Sequence, residues 1–439
     1  MGYTLKDNDV ALCKVELERK THKSKAMFLP TFRKLNRLQS LLVFGAVSAL
    51  LILAYLSTNT KIIESWYHRS EGGSSSRLSK LATPISGTNW TLNDFINHFQ
   101  ILLGPPTDSH KQSFENPCHG NTACTPNCTR PLSNSSDERL TDVLMSPNLT
   151  LSNQQRDNIL SMTDSIPEND IIFLSASSSN HYDEMQAMFH NLHTVVFPIL
   201  PNITVVLFDI GLTEEQRMRT ERNCRCHLLR FPVEKFPPHM KENICYSWKP
   251  VIIRATMEKA RQILVYQDAS IRWSPNIIKV LNRTRTFGLQ YHRSDFISRI
   301  SLHTMREMFD YFGESPCAFS PFPEIEANNG MYKNDPFVIH AVLEPWARCA
   351  LEPSCICPVP PATVVNCNKP VAEPRCHRFD QSAMGILTTK LFNKDIHRIL
   401  GPGYHYVGIR REHKMKDYFY SLENPQHFAN QTNTSISKV

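Results

Sequence analysis

A short apolar run, Ile263 to Trp273 (ILVYQDASIRW), stops at Asp268-Ala269-Ser270. An acidic residue directly after a buried strand is one ingredient of a site that holds a divalent cation and, through it, the diphosphate of an activated sugar. The departing diphosphate gathers negative charge, which a divalent ion or fixed cationic side chains must offset. Asp268 is the candidate metal ligand, and Ser270 stands where a second carboxylate would complete an Asp-x-Asp pair. A hydroxyl is a poorer ligand for Mn²⁺ or Mg²⁺ than a carboxylate. The plainer alternative is that Asp268 only caps the turn after its strand.

Other residues supply what such a reaction needs. Trp248-Lys249-Pro250 opens an apolar, helix-like stretch; Lys249 could reach a phosphate as a point charge, or it and Trp248 are a surface lysine and a core indole. Arg272 is a second candidate cation, and Asp209, at the end of Ile203–Phe208 (ITVVLF), is a further strand-terminal carboxylate on the donor side. Glu324 to Gly330 (EIEANNG) is polar and turn-rich. It either lines an acceptor pocket with Glu326, Asn328 and Asn329 or is only a loop leading to a helix from Pro336 to about Arg348. In His377 to Ala383 (HRFDQSA), Asp380 is either an N-cap for a helix over Gln381–Phe392 or a general base for an acceptor hydroxyl, with Gln381 beside the acceptor. His405, in the Gly401–Tyr406 turn, is a candidate second metal ligand or a plain surface histidine.

These residues need a scaffold, and the hydrophobic pattern from about Ile166 to Leu422 supplies one. Asp170–Ser175, Ile203–Phe208, Cys226–Phe231 and Ile263–Tyr266 read as strands. Helices are expected through about His193, over a segment carrying Glu214, Glu215 and Arg217, and over Tyr246–Ala260. Strands alternating with helices imply an α/β fold, an open and mostly parallel sheet flanked by helices, whose ligands collect beyond the carboxyl ends of the strands. Asp209 and Asp268 both sit there. No G-x-G-x-x-G follows the first strand, and neither a P-loop nor a G-x-S-x-G elbow occurs. Dinucleotide, P-loop and common hydrolase chemistry are therefore unsupported.

The N-terminal part reads differently. Leu38 to Leu56 is an uncharged, largely apolar stretch near the ~20 residues needed to span a bilayer as a helix. Residues 1–37 hold nine basic against four acidic residues, five of the formal +7 charges, which places this tail in the cytosol. The remainder is nearly neutral, so no nucleic-acid partner is expected, and the basic tail suits membrane lipid. Of the 13 cysteines only Cys13 precedes the span, and the other 12 suit disulfides in an oxidising lumen. All eight Asn-x-Ser/Thr sequons, at Asn89, Asn127, Asn134, Asn148, Asn202, Asn282, Asn430 and Asn433, also lie beyond it. Residues 57–165, rich in Ser, Thr, Asn and Pro, read as a glycosylated stem unable to bury much core, interrupted by a possible helix over Leu92–Leu103. Cys118, Cys124 and Cys128 cannot close among themselves, so one pairs with the distal domain or with another chain, as in a disulfide-linked dimer. The expected order is tail (1–37), transmembrane anchor (38–56), stem (57–165), lumenal domain (166–423) and flexible tail (424–439).

The Trp-Lys-Pro helix start, the Y-x-D-x-S of Tyr266–Ser270 with Ile271 and Arg272, and the H-R-F-D-Q-S-A of His377–Ala383 together resemble an uncharacterised animal family. Much expanded in nematodes, that family consists of type II membrane proteins with a GT-A glycosyltransferase-like domain. The resemblance covers roughly Ile166 to Tyr420. It implies a Golgi enzyme using a nucleotide sugar, with Asp268 in the donor-metal position and Asp380-Gln381 on the acceptor side, acting on a glycan or glycoprotein. Two rivals remain: a catalytically silent GT-A-like lumenal protein that binds glycans or a partner, and a cell-surface adhesion receptor.

Overall fold

The structure, a computed structural model, describes residues 85, 87–104, 128, 130–241, 245–293, 298–360, 364, 367, 376–401 and 405–425. The expected cytosolic tail and membrane span lie outside the described residues, as do Cys118, Cys124, Asn127, Asn430 and Asn433. Among the described residues no helix is long and apolar enough to cross a membrane.

A six-stranded sheet has the order β3-β2-β1-β4-β7-β6. Its strands are β1 (Asn169–Ser177), β2 (Thr204–Asp209), β3 (His227–Arg230), β4 (Ala260–Gln267), β6 (Leu289–Arg293) and β7 (Ile325–Lys333). Strands β1 to β4 run parallel, and β7 pairs antiparallel with both β4 and β6. The mixed, mostly parallel sheet expected from the alternating pattern is therefore present. A small second sheet pairs β5 (Ile271–Trp273) with β8 (Val407–Ile409).

The period of two in the central strands sorts their side chains between two cores. Ile172, Leu174, Leu264 and Tyr266 belong to one apolar cluster, and Phe173, Ile263 and Val265 to the other. Full burial of each such side chain stabilises the fold by about 1.5–3 kcal/mol. Helices α4 (Tyr182–Asn191) and α7 (Ile277–Phe287) cover the second face, while α6 (Trp248–Met257) and α9 (Phe379–Phe392) cover the first. Helix α5 (Glu214–Asn223) links β2 to β3, and α8 (Glu344–Ala350) and α10 (Tyr418–Glu423) lie further along the chain.

Packing reaches further toward the N-terminus than the expected boundary at residue 166. Helices α1 (Leu92–Leu103), α2 (Ser136–Leu144) and α3 (Asn153–Leu160) place Phe95, Phe99, Leu140, Val143 and Ile159 in the first core. Phe99 stacks on Phe337, with ring centroids 4.6 Å apart. The Ser, Thr and Asn that suggest a stem do local capping: Thr91 and Asp94 close a capping box on α1, and Ser152 and Gln155 another on α3.

A second difference concerns Glu324 to Gly330, where a loop was one of the two expectations. Ile325–Lys333 is instead strand β7, hydrogen-bonded on both sides. Asn-Asn-Gly suggests a turn, but Gly330 is there for space, since a Cβ would lie 2.5 Å from the Tyr332 hydroxyl.

The ten described cysteines form five disulfides: Cys128–Cys317, Cys224–Cys226, Cys245–Cys357, Cys349–Cys355 and Cys367–Cys376. Cys128 thus reaches the distal domain. The described sequon asparagines, Asn89, Asn134, Asn148, Asn202 and Asn282, are all exposed.

Candidate functional site

The sheet order reverses between β1 and β4: β2 lies on one side of β1, and the chain returns from β3 to enter β4 on the other. At such a switch point the connections diverge from the carboxyl ends and leave a crevice. A cleft of about 710 Å³ opens there. Its walls include Ser177, Ser178, Asn180 and His181 after β1, Asp268–Ser270 after β4, Glu326–Asn328 of β7, and Arg411 and Lys414 after β8.

Its floor is a charged trio. The Lys249 ammonium lies 2.9 Å from Asp380 Oδ2 and 3.3 Å from Asp268 Oδ1, and donates to the Ala327 carbonyl at 3.2 Å. The side chains of Lys249 and Asp380 are 4% and 6% exposed, whereas Asp268 is 34% exposed and faces the opening. The Tyr266 hydroxyl donates to Asp268 Oδ1 at 2.5 Å, and burial raises its pKa well above the ordinary phenol value. Burial works against a charged Lys249, yet the two carboxylates outweigh it and hold its pKa above that of a free lysine. One ammonium cannot fully compensate two carboxylates. Burial therefore pushes Asp380, the more enclosed of the pair, up to about 6, with Lys249 opposing the shift and Asp268 reinforcing it.

Local structure places the trio without side-chain caps. Lys249 is in the first turn of α6, which starts at Trp248 and whose third residue, Pro250, has no amide to orphan. Asp380 is in the first turn of α9, which begins at Phe379; the N-cap is Arg378 and no side chain caps it. Asp380 is thus not the N-cap, and its carboxylate takes a backbone hydrogen bond from Gln381 and meets Lys249. Tyr246 (φ 52°) and Phe379 (φ 46°) adopt the left-handed region, uncommon for residues with bulky side chains and costing about 1–3 kcal/mol each. The rings of Tyr246, Trp248 and Tyr266 stand 5.4, 5.9 and 5.4 Å from the Lys249 ammonium.

Of the residues expected from sequence, Lys249, Asp268, Ser270, Glu326, Asn328, Asp380 and Gln381 line one cleft. The Gln381 carboxamide is fixed by donating to Glu324 Oε1 at 2.8 Å; Glu324 also meets His303 Nδ1 at 2.8 Å and the Arg378 guanidinium at 3.3 Å. Four others are not part of the lining. Asp209 accepts from the amides of Gly211 and Leu212 and pairs with Arg217 at 2.8 Å, so it caps the turn after β2. Arg272 donates to the carbonyls of Ala269, Ile271, Glu184 and His413, bracing β5 rather than meeting a phosphate. Asn329 is buried and donates to Asn328 Oδ1 at 2.7 Å. His405 is exposed, its carbonyl accepting from Ser274 and Asn276.

Sequence reasoning missed Tyr246, Phe379, Arg411 and Lys414 as lining residues. The serine-rich turn after β1 carried a usable signal, because it too follows a strand at its carboxyl end.

A divalent cation of the Mn²⁺ or Mg²⁺ type does not fit the described donor set. Hard cations take six or more oxygens with several carboxylates or waters among them. Here Asp268 Oδ1 already serves Tyr266 and Lys249, Ser270 replaces the second carboxylate, and an ammonium stands between the two acids. Among the described residues no three His, Cys, Asp or Glu side chains gather as a metal site.

A family model described as "Protein of unknown function (DUF1647)" matches residues 140–254, which include Lys249 but stop before Asp268 and Asp380. No curated protein matches the chain. Similar solved structures include the galactosyltransferase LgtC with donor and acceptor sugar analogs, at 12% identity over 49% of this chain and 70% of that one, with a TM-score of 0.28. Core-mannan synthase A from Aspergillus fumigatus in its Mn/GDP form is 10% identical over 53% and 72%, TM-score 0.31. Mouse xyloside xylosyltransferase 1, apo form, is 12% identical over 53% and 84%, TM-score 0.29.

Proposed function

We propose that the protein is a Golgi type II glycosyltransferase that moves a sugar from a nucleotide-sugar donor to a hydroxyl of a glycan or glycoprotein. The observation that carries this reading is the Lys249–Asp268–Asp380 trio on the floor of the switch-point cleft. Asp380 takes the proton of the acceptor hydroxyl as the acceptor oxygen attacks the anomeric carbon. The bond from that carbon to the diphosphate oxygen breaks, and its electron pair leaves with the diphosphate. Lys249 offsets the charge that develops there, helped by Arg411 and Lys414 on the cleft wall. Direct displacement with Asp380 as base inverts the anomeric centre. Asp268 orients the ammonium through its 3.3 Å contact.

The test is to offer the full-length chain a panel of UDP- and GDP-sugars and to score binding, donor hydrolysis and transfer. Binding with turnover that collapses in Asp380→Asn supports the reading; a well-folded protein that binds no donor sinks it. The binding-only alternative draws on Ser270 and predicts donor binding with no turnover under any acceptor. Location belongs to the proposal too, supported by the apolar 38–56 segment and by sequons placed only after it. Plasma-membrane rather than Golgi staining would favour the adhesion-receptor alternative.

A further inference from the structure

Three aromatic residues stand beside the trio, and the proposed reaction leaves them unused. Tyr246 and Phe379 line the cleft with ring centroids 6.2 Å apart, and they are two of the four non-glycine residues with positive φ among the described residues. Tyr246 is 45% exposed, an unusual position for a large ring held in a disfavoured backbone conformation. Trp248, only 5% exposed, also lines the cleft, and its indole N–H is buried without a hydrogen-bond acceptor. A buried donor with no acceptor is costly, and a ligand that turned the indole toward the cleft would supply one.

One ligand class answers all three features. A pyranose presents an apolar C–H face that packs on aromatic rings and carries hydroxyl and ring oxygens that accept from an indole N–H. Position separates it from a nucleobase: Phe379, 8% exposed, immediately precedes Asp380, so a ligand on the exposed Tyr246 ring, 6.2 Å from Phe379, lies beside the group that must meet the acceptor hydroxyl. The polar turn Ser177–His181, which lines the same cleft, is left for the nucleoside.

We propose that Tyr246, Trp248 and Phe379 form a saccharide subsite, so that the acceptor is a pyranose residue of a glycan rather than the bare hydroxyl of a polypeptide side chain. Its acceptor role rests on the transferase reading; its affinity for saccharide does not.

The test uses saturation-transfer NMR and tryptophan fluorescence on the full-length chain. Probes are methyl glycosides of glucose, galactose, mannose, xylose and N-acetylglucosamine, a Ser/Thr peptide, UDP and GDP. At least one glycoside should bind; Tyr246→Gly, which also relieves the backbone, should weaken it at least tenfold, while Tyr246→Phe stays within threefold. Trp248→Phe, keeping the packing but not the N–H, should weaken it by threefold or more. UDP or GDP affinity should be unmoved by Tyr246→Gly. The inference is overturned by no glycoside binding, by glycoside binding indifferent to Tyr246→Gly, by loss of nucleotide affinity in that variant, or by preference for the peptide. Donor turnover with ring-independent glycosides removes the subsite alone, whereas ring-dependent glycoside binding without any donor binding removes the transferase reading alone.

Discussion

Replacing Asp380 with Asn tests whether its carboxylate is there for chemistry or for stability. Asn keeps the size and polarity of the side chain and resembles the neutral acid. In the folded protein, burial lifts the Asp380 pKa to about 6, from an ordinary value of 3.8. A raised carboxylate pKa favours the folded state fully below the unfolded value and loses that contribution as pH climbs through about 6. The shift corresponds to roughly 3 kcal/mol that the ionised form costs at neutral pH, at ~1.4 kcal/mol per unit. Asn avoids that cost at every pH. The variant should therefore be more stable than the wild type at pH 7.5 by up to roughly 3 kcal/mol, and the gap should close toward pH 4. With an unfolding entropy of ~2 cal/mol/K per residue, a domain of this size would melt roughly 4 °C higher.

Activity should move the opposite way. Loss of a general base lowers transfer by about 10²–10⁴-fold, with donor affinity retained. Wild-type transfer should also fall as pH drops through about 6, because the base must be ionised. The assays are thermal unfolding of both proteins at pH 7.5 and pH 4, beside a pH–rate profile. A variant that melts several degrees lower than the wild type at pH 7.5 would refute the reasoning. Asp380 would then be a structural partner whose removal strands Lys249, a loss that for buried pairs runs to about 3–5 kcal/mol.

Three further outcomes follow from the same geometry. Chelation with EDTA should leave UDP or GDP binding within about threefold, since Lys249 supplies the positive charge beside Asp268; a tenfold loss restored by Mn²⁺ would contradict this. Arg272→Ala removes donors to four backbone carbonyls and should lower unfolding stability by about 2–3 kcal/mol. Nucleotide affinity per folded molecule should stay unchanged, and a selective loss of affinity would return Arg272 to the donor site. Non-reducing peptide mapping should recover Cys128 joined to Cys317, and Cys128→Ser should cost about 2–5 kcal/mol; recovery of Cys128 in an intermolecular link would instead support the dimer.

How much of this could be read from the chain depends on the range of the cause. β1 to β4 and the helices between them follow from local periodicity and turn residues, and their boundaries fall within a few residues of expectation. Lys249, Asp268 and Asp380 were reachable because each begins or follows an element at the carboxyl edge of the sheet. What failed depends on contacts distant in sequence. Arg272 looks like a free cation until the carbonyls of Glu184 and His413 are seen around it. Asn-Asn-Gly looks like a turn until β4 and β6 pair on either side of it. The segment read as stem looks too polar to pack until Phe99 meets Phe337 and Phe392, and Phe95 and Leu140 join the same core. Left-handed backbone at Tyr246 and Phe379 leaves no trace in composition at all.

Ser270 and Lys249 are then two sides of one arrangement. Read along the strand, Ser270 is a missing carboxylate and leaves the charge balance of a sugar-diphosphate site incomplete. In three dimensions the first turn of α6 carries an ammonium to Asp268 in the same cleft, held by Asp268, Asp380 and the Ala327 carbonyl. A second acid at position 270 would add a third negative charge to a cleft whose floor holds one lysine, and would deepen the penalty already visible at Asp380. A hydroxyl avoids that penalty while keeping the turn polar. The departure from Asp-x-Asp is thus what a site balanced by a lysine would require, and Ser270→Asp should recruit a divalent ion that the wild-type arrangement does not need.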